Sequence, residues 1–511
     1  MNLPRLSISL ALTVLGGLSP ILAQTPVIKP VASYPANLSS VKVAELNNNN
    51  APELIGLDNT SNAVVVLENT GTGSYGAPQY YAVSGQPTGL DVGDFNGDGK
   101  LDVAVSFGVY NAATGKVAVL RGNGDGTLQL PIYFTVPIPA NSIAVADLNN
   151  DNRPDIAVIG NTNDDNTNTV AILTNTSTST ATISFSVTSF PAPVYFGPGG
   201  IPPDLVWGLT AGDFNGDGRI DLAYFDECGP DCGPAVEDDL VILANTTGGW
   251  VAHNPTGGTG ASSMTAFDLD GDGITDLVIP FRGCHTPCVG VTVLYMKNDF
   301  SVAASVPLDI GGDNEDGPTP YQAVAGDFNN DGKSDIAGYS QGGTLANPSF
   351  TDVGPGIMMW TALGTRTFNS LKYYKQPSPP ASFSAFYTAE GFLDQNGTRD
   401  LVVPHGTVAQ VWKNGTSTAG DPCAYPTSGG IHVCTPTSVP AGTVHFLASG
   451  RTNVQPLLRM ELWVDGVKRA QRFTDRLHVD LTLAPGTHTV GFVVVGASGL
   501  QIKKKIYITA H

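Results

Sequence analysis

Seven times along this chain an Asp-, Asn- and Gly-rich stretch separates two runs of β-forming residues, with roughly 50 to 65 residues from one copy to the next. A unit of that size cannot bury its own apolar faces, so repeated units must stack and share a core with their neighbours. The best-formed copy is "GDFNGDGKLDVAV", Gly93 to Val105. Asp94, Asn96, Asp98 and Asp102 stand at relative positions 1, 3, 5 and 9, a spacing that lets alternate side chains point at one centre. Hard oxygen donors so arranged suit calcium, which takes six to eight oxygens at about 2.3–2.6 Å. Gly99 at position 6 permits a sharp turn, and the Lys100 carbonyl at position 7 is free to add a backbone oxygen.

An EF-hand loop begins in the same way but needs Glu at position 12 and a helix on either side. Here position 12 is Val105, inside "LDVAV", which alternates as a strand does. A single copy would suit a solvated Asx/Gly turn equally well. Repetition weighs against that reading. The pattern returns with Asp147, Asn149, Asp151 and Asp155, then with Asp213, Asn215, Asp217 and Asp221. It returns again with Asp268, Asp270, Asp272 and Asp276, and with Asp327, Asn329, Asp331 and Asp335. Two weaker copies flank these five. The first offers Glu45, Asn47, Asn49 and Glu53, and the last has Phe392 at position 1, leaving Asp394, Asn396 and Asp400. The expectation is about five bound calcium ions, a weak first site and an empty seventh.

Charge and cysteines fit the same picture. The formal charge is −20, and 20 of the 45 acidic residues stand at the loop positions just named, so five calcium ions would halve the net charge. The acidity is mostly ligand charge. No basic patch opposes it, which argues against nucleic acid as a partner. Residues 1–24, "MNLPRLSISLALTVLGGLSPILAQ", read as a secretory signal peptide, and no later apolar run is long enough for a membrane span. The expected location is therefore extracellular. Six cysteines fall into three sequence-local pairs: Cys228 with Cys232, Cys284 with Cys288, and Cys423 with Cys434. Export favours disulfides at all three, with zinc the competing reading of the two Cys-x3-Cys pairs.

Each acidic loop sits between a first strand such as "AVADL" and a second such as "DIAVIG". A third recurs as "AVVVLENT", "VAVLRGN", "VAILTNT", "LVILANT" and "VAQVWKNG", and a fourth follows more loosely. Four strands per unit without helical periodicity predict propeller blades. The seventh unit supplies only three strands, so Val27 to Asn37 is expected to provide its fourth and leave no open sheet edge. The units resemble the FG-GAP/VCBS repeats of integrin-α-like propellers over about residues 27–415. That resemblance implies ligands at positions 1, 3, 5 and 9 plus the position-7 carbonyl, here Lys100, Arg153, Arg219, Ile274 and Lys333. In the third copy Asn152 replaces the usual Gly, and Asn tolerates left-handed backbone.

The expected fold class is all-β: a seven-bladed β-propeller at 25–415, a linker at 416–422, and a small Ig-like β-sandwich at 423–511. An Asp465-Gly466 hairpin turn marks the latter, which resembles bacterial Ig-like modules. No nucleophile elbow, phosphate loop or paired zinc-spaced histidines appear. The reading is a monomeric extracellular binding or adhesion module for a protein or glycan ligand, with a lyase-like carbohydrate-active enzyme or a lectin as the alternative. Six residues before each first ligand the inner strands carry a ring that includes Trp207, Tyr321 and Phe386. That ring is either a ligand face at the channel mouth or, as the simpler account, packing between blades.

Overall fold

The computed structural model describes residues 25–49, 51–108, 112–161, 168–192, 205–227, 239–255, 263–280, 289–310, 320–340, 354–364, 366–377, 387–394, 396–416, 423, 426, 430–451, 457–472, 476–496 and 501–511. The leader segment and Phe386 lie outside the described residues.

Seven four-stranded antiparallel sheets follow one another along the chain. Blade one consists of Ser40–Ala44, Glu53–Asp58, Ala63–Leu67 and Gln79–Ala82. Blades two to six repeat that order, with first strands Gly89–Gly93, Ser142–Ala146, Leu205–Gly212, Thr265–Phe267 and Pro320–Gly326. Blade seven has Ala389–Gly391, Asp400–His405 and Val408–Asn414. Its fourth strand is Ile28–Pro35, from the other end of the chain. The register runs from Ile28 opposite Asn414 to Pro35 opposite Val408, with a bulge between Pro30 and Ala32. The first strands touch their neighbours in a closed cycle, blade one against blade seven included. The chain is a β-propeller, closed as the sequence led us to expect.

Burial follows from that stacking. Second strands such as "ELIGLD" and "DLVVPH" are buried at every residue, whereas the outer strand "QYYA" alternates. An inner sheet packed on both faces needs apolar residues at both parities, and an outer one at only half of them. Among the described residues, seven separate apolar clusters lie between successive blades. Ile28 of the closing strand enters the cluster between blades six and seven, beside Trp412.

The first strands splay apart around the axis, so among the described residues no ladder joins one to the next, and side chains make links instead. Thr88 Oγ1 donates to the Ala140 carbonyl at 2.6 Å, Thr265 Oγ1 to Ala323 at 2.6 Å, and the Val145 N–H donates to Asp91 at 3.1 Å.

Beyond the propeller, Gly430–Val433, Gly442–Arg451 and Arg476–Leu483 form one sheet. Ser438–Val439, Gln501–Ala510, Gly486–Gly496, Leu457–Val464 and Val467–Arg472 form a second. One apolar core fills the space between the two sheets. Asp465 and Gly466 both take positive φ, 51° and 80°, as their hairpin turn requires. Of the three disulfides expected from the sequence, the bond between Cys423 and Cys434 is formed. The other two expected bonds, Cys228 to Cys232 and Cys284 to Cys288, fall outside the described residues: Cys228, Cys232, Cys284 and Cys288 all lie in connections between second and third strands that are not among them. Among the described residues no helix is long and apolar enough to cross a membrane.

A chain beginning at Leu38 loses the ladder on Val408–Asn414 and leaves that edge bare, which invites self-association. The expected outcome is aggregation or a much lower melting temperature even in saturating calcium, read by light scattering during a thermal melt.

Candidate metal centre

The loops between first and second strands share one backbone path. In the second loop Gly97 and Gly99, positions 4 and 6, have φ of 70° and 82°. The third loop uses Asn150 and Asn152 at 61° and 65°, which bears out the tolerance expected of Asn152. The left-handed residue at position 4 was not anticipated, although Gly or Asn stands there in all five full loops. Two left-handed residues coil the chain tightly enough for its N–H groups to turn inward onto the side chains at positions 1, 3 and 5.

Hydrogen bonds fix the donors. Asp94 accepts the Gly97 and Asp98 N–H groups on one oxygen and the Gly99 N–H on the other, at 2.8, 3.1 and 2.7 Å. Asn96 Oδ1 accepts from the Asp98 N–H, and Asp98 Oδ1 from the Lys100 N–H. The same bonds recur for Asp147, Asn149 and Asp151 up to Arg153, and for Asp213, Asn215 and Asp217 up to Arg219. They recur for Asp268, Asp270 and Asp272 up to Ile274, and for Asp327, Asn329 and Asp331 up to Lys333. A carboxylate oxygen that accepts one such bond, such as the Asp94 oxygen facing Gly99, keeps lone-pair capacity. The donors are thus gathered by the loop's own backbone N–H groups.

Position 9 has a second task. Asp102 accepts the Phe95 N–H at 3.0 Å and the Gly122 N–H, at the end of the third strand, at 2.9 Å. Asp155, Asp221, Asp276, Asp335 and Asp400 do the same with Asn175, Asn245, Met296, Ala362 and Asn414. All are fully buried, as is Glu53 in the first loop.

Burial gives these groups their electrostatics. Desolvation, reinforced by the neighbouring carboxylates, pushes Asp102 and Asp221 up to about 7 and Asp94, Asp155 and Asp213 up to about 6. Glu53 rises to about 8, chiefly by desolvation, and desolvation raises Asp276 and Asp335 as well. A cation bound among them would supply opposite charge beyond that of Arg153, Lys333 and Arg366, which pair with Asp151, Asp331 and Asp270. The donor set fits a hard divalent ion: all oxygen, mostly ionisable and clustered. Carboxylate oxygens of Asp268, Asp270 and Asp276 lie within 4.8 Å of one another. The buried Asp331 Oδ2 accepts no hydrogen bond and has Lys333 Nζ 3.5 Å away.

The two weaker loops differ as their sequences imply. In the first, Glu53 accepts from the Leu46 N–H and the Asn47 amide, and Glu45 from the Asn49 N–H, so these donors satisfy one another. Asn49 spends its own oxygen on the Ala51 N–H. In the seventh, Asn396 Oδ1 serves Thr398, and Lys413 lies 3.6 Å from Asp394.

Several contributors were not legible in the motif. Arg366, from the sixth blade, sits 2.7 Å from Asp270 in the fifth loop and stacks on Tyr295. Asn69, Asn175, Asn245 and Asn414 end third strands and donate to the carbonyls of Leu393, Phe95, Leu148 and Phe328, each in the preceding blade. The signal for these was present, since Asn recurs at one place in "VLENT", "ILTNT", "ILANT" and "VWKNG".

The axis holds a cavity of about 1420 Å³. Thr88 and Asn141 line it, but Tyr321 does not; its neighbour Gln322 does. The bulge between Pro320 and Ala323 shifts the register there, so parity counted from the loop misplaces the residue. Trp207 lies on a first strand opposite Phe225, and its side chain is outside the described part. The Lys42–Asp91 and Glu390–Arg399 ion pairs also face the cavity.

FG-GAP-like repeats are found in three places, residues 46–105, 108–158 and 147–224, which span the first four loops. No curated protein matches the chain. The crystal structure of rhamnogalacturonan lyase YesW at 1.40 Å resolution is similar at a TM-score of 0.40 and 12% identity, over 78% of this chain and 76% of that one.

Two outcomes test the division of labour. Asp102→Ala strands two buried N–H donors, at about 1–3 kcal/mol each, and lowers the melting temperature with or without chelator. Asp98→Asn lowers it only when metal is present. The second concerns pH. Chelated, the native chain holds protons on these raised carboxylates that the unfolded chain, titrating near 3.8, has released. Stability of the chelated protein therefore falls as pH rises from about 4 to about 7, and added calcium flattens that slope in thermal melts.

Proposed function

We propose that the chain is a secreted, calcium-loaded β-propeller with an Ig-like C-terminal unit, serving as an extracellular binding or adhesion module. The observation that supports this reading is the fivefold recurrence of one pre-formed, all-oxygen loop. The residues that hold the ions are those at positions 1, 3, 5 and 9, with the position-7 carbonyls. Calcium supplies charge neutralisation and a fixed coordination shell, so each blade edge becomes rigid. A rigid ring then presents a protein or glycan ligand with the polar rim of the channel. Export follows from the leader-like residues 1–24, and extracellular calcium levels suit loops of modest affinity.

A second reading, a carbohydrate-active enzyme or lectin, draws on the Glu390–Arg399 pair, which puts an acidic side chain without a loop assignment beside a cationic one in the channel. Asp91 supports it less, because its carboxylate already holds the Val145 N–H and Lys42.

Elemental analysis is expected to find about five calcium ions per chain, and chelation to cause a large fall in melting temperature; each site at 100-fold saturation adds about 2.7 kcal/mol. An unchanged melt in EDTA would sink the calcium reading. On a glycan panel, binding without product supports a lectin-type module, while product release that Glu390→Gln abolishes supports the enzyme.

A further inference from the structure

The seam where blade seven meets blade one is also where both incomplete loops lie. Its acids are Glu45 and Glu53 from the first loop and Asp394 and Asp400 from the seventh, and Glu45, Glu53 and Asp400 are buried. Position 1 of the seventh loop, an acid in the full loops, is the aromatic Phe392, itself buried. Two guanidinium groups stack on that ring, each 5.1 Å from its centroid. One is Arg399, from the loop itself. The other is Arg451, from the last position of Gly442–Arg451 in the C-terminal unit.

Arg451 is 1% exposed. Such burial of a guanidinium is costly unless anions face it. Burial pulls the Arg451 guanidinium below its usual range, with Glu45, Asp394 and Asp400 opposing that pull; burial likewise raises Glu45, and Arg451 is among the smaller influences that lower it. The replacement of an acid by Phe at position 1 now has a physical reason: a flat aromatic face receives a guanidinium where a carboxylate would receive a metal. The same unit reaches further across the loop face. Its Arg459, Lys468 and Arg469 line the channel cavity together with Asp213 and Asp217 of the fourth loop.

We propose that Arg451 is a built-in counter-ion for the two incomplete loops, doing there what a metal does at a complete one, and that it thereby pins the C-terminal unit across the closing seam of the propeller. The proposal concerns loops whose donor sets are incomplete, so it stands or falls separately from calcium at the other five. It also gives the C-terminal unit a role, since Arg459, Lys468 and Arg469 of that unit line the cavity beside the fourth loop.

The test is a thermal-melt cycle on the full chain with Glu45→Gln, Arg451→Met and the double variant, in saturating calcium and again in chelator. Glu45→Gln keeps the acceptor for the Asn49 N–H and removes only charge. If Glu45 merely crowds an acidic face, neutralising it raises the melting temperature. As a partner of Arg451, it lowers it, by about 2–4 °C. The double variant is expected to melt no lower than Arg451→Met alone, in both conditions. Hydrogen exchange should speed up in Phe392–Asp400 of Arg451→Met and not in Asp94–Asp102. Additive losses, or a neutral or stabilising Glu45→Gln, overturn the proposal. Should Arg451→Met fail to fold, the sign of the Glu45→Gln shift decides by itself.

Discussion

A buried carboxylate at position 9 accepts one N–H from its own loop and one from the end of the third strand, and the rest of each blade depends on that bridge. It ties the turn to the middle of the sheet, so the loop cannot shift without disturbing the strands behind it. Where the motif decays, this group persists. Asp400 keeps both bonds although Phe392 has displaced the first ligand, and Glu53 keeps the Leu46 bond in the first loop. Holding the blade and holding an ion are thus separable jobs within one motif. A fully buried acid does the first, and more exposed side chains such as Asp98 and Asn215, which accept N–H groups within the loop, are placed for the second.

Concentrating so many acids along one face sets the electrostatic terms for the whole molecule. Burial, reinforced by neighbouring carboxylates, pushes several of these groups toward neutrality, while backbone N–H groups favour the ionised form, as a cation would. Two kinds come into question. Oxygen-lined loops with free lone-pair capacity suit a divalent metal, while at the seam Lys413 lies beside Asp394 and Arg451 lies over Phe392. Arg366 shows both possibilities at one place, since it lies against Asp270 in a loop whose four carboxylates form the densest cluster of the set. Cations from neighbouring blades and from the C-terminal unit thereby become part of how the acidic face is held together.

The channel wall illustrates a different constraint. First strands in a ring diverge, so their backbone groups cannot all pair, and polar side chains bridge the gaps. Thr88, Thr265 and Asp91 do this work. That is why hydroxyls and a carboxylate line the axis without being, for that reason, a reactive site. Glu390 and Arg399 differ, being paired with each other beside the incomplete loop.

Much of this was legible in the residues alone. The donor positions, the left-handed site at Asn152, the four-strand unit, the Asp465-Gly466 turn and the closing role of Val27 to Asn37 all follow from local spacing and backbone preference, which act within a few residues. Contacts between units are another matter. Bulges in first strands changed which side chains face the axis, so Gln322 and not Tyr321 lines it. The asparagine links, Arg366 on its neighbour's loop, and Arg451 on Phe392 depend on which segments the closed ring brings together across hundreds of residues. Local sequence could say that a cation was missing from the seventh loop. Only the tertiary structure could set Arg451 over Phe392, because nothing near Phe392 in the sequence points to an arginine 59 positions further on.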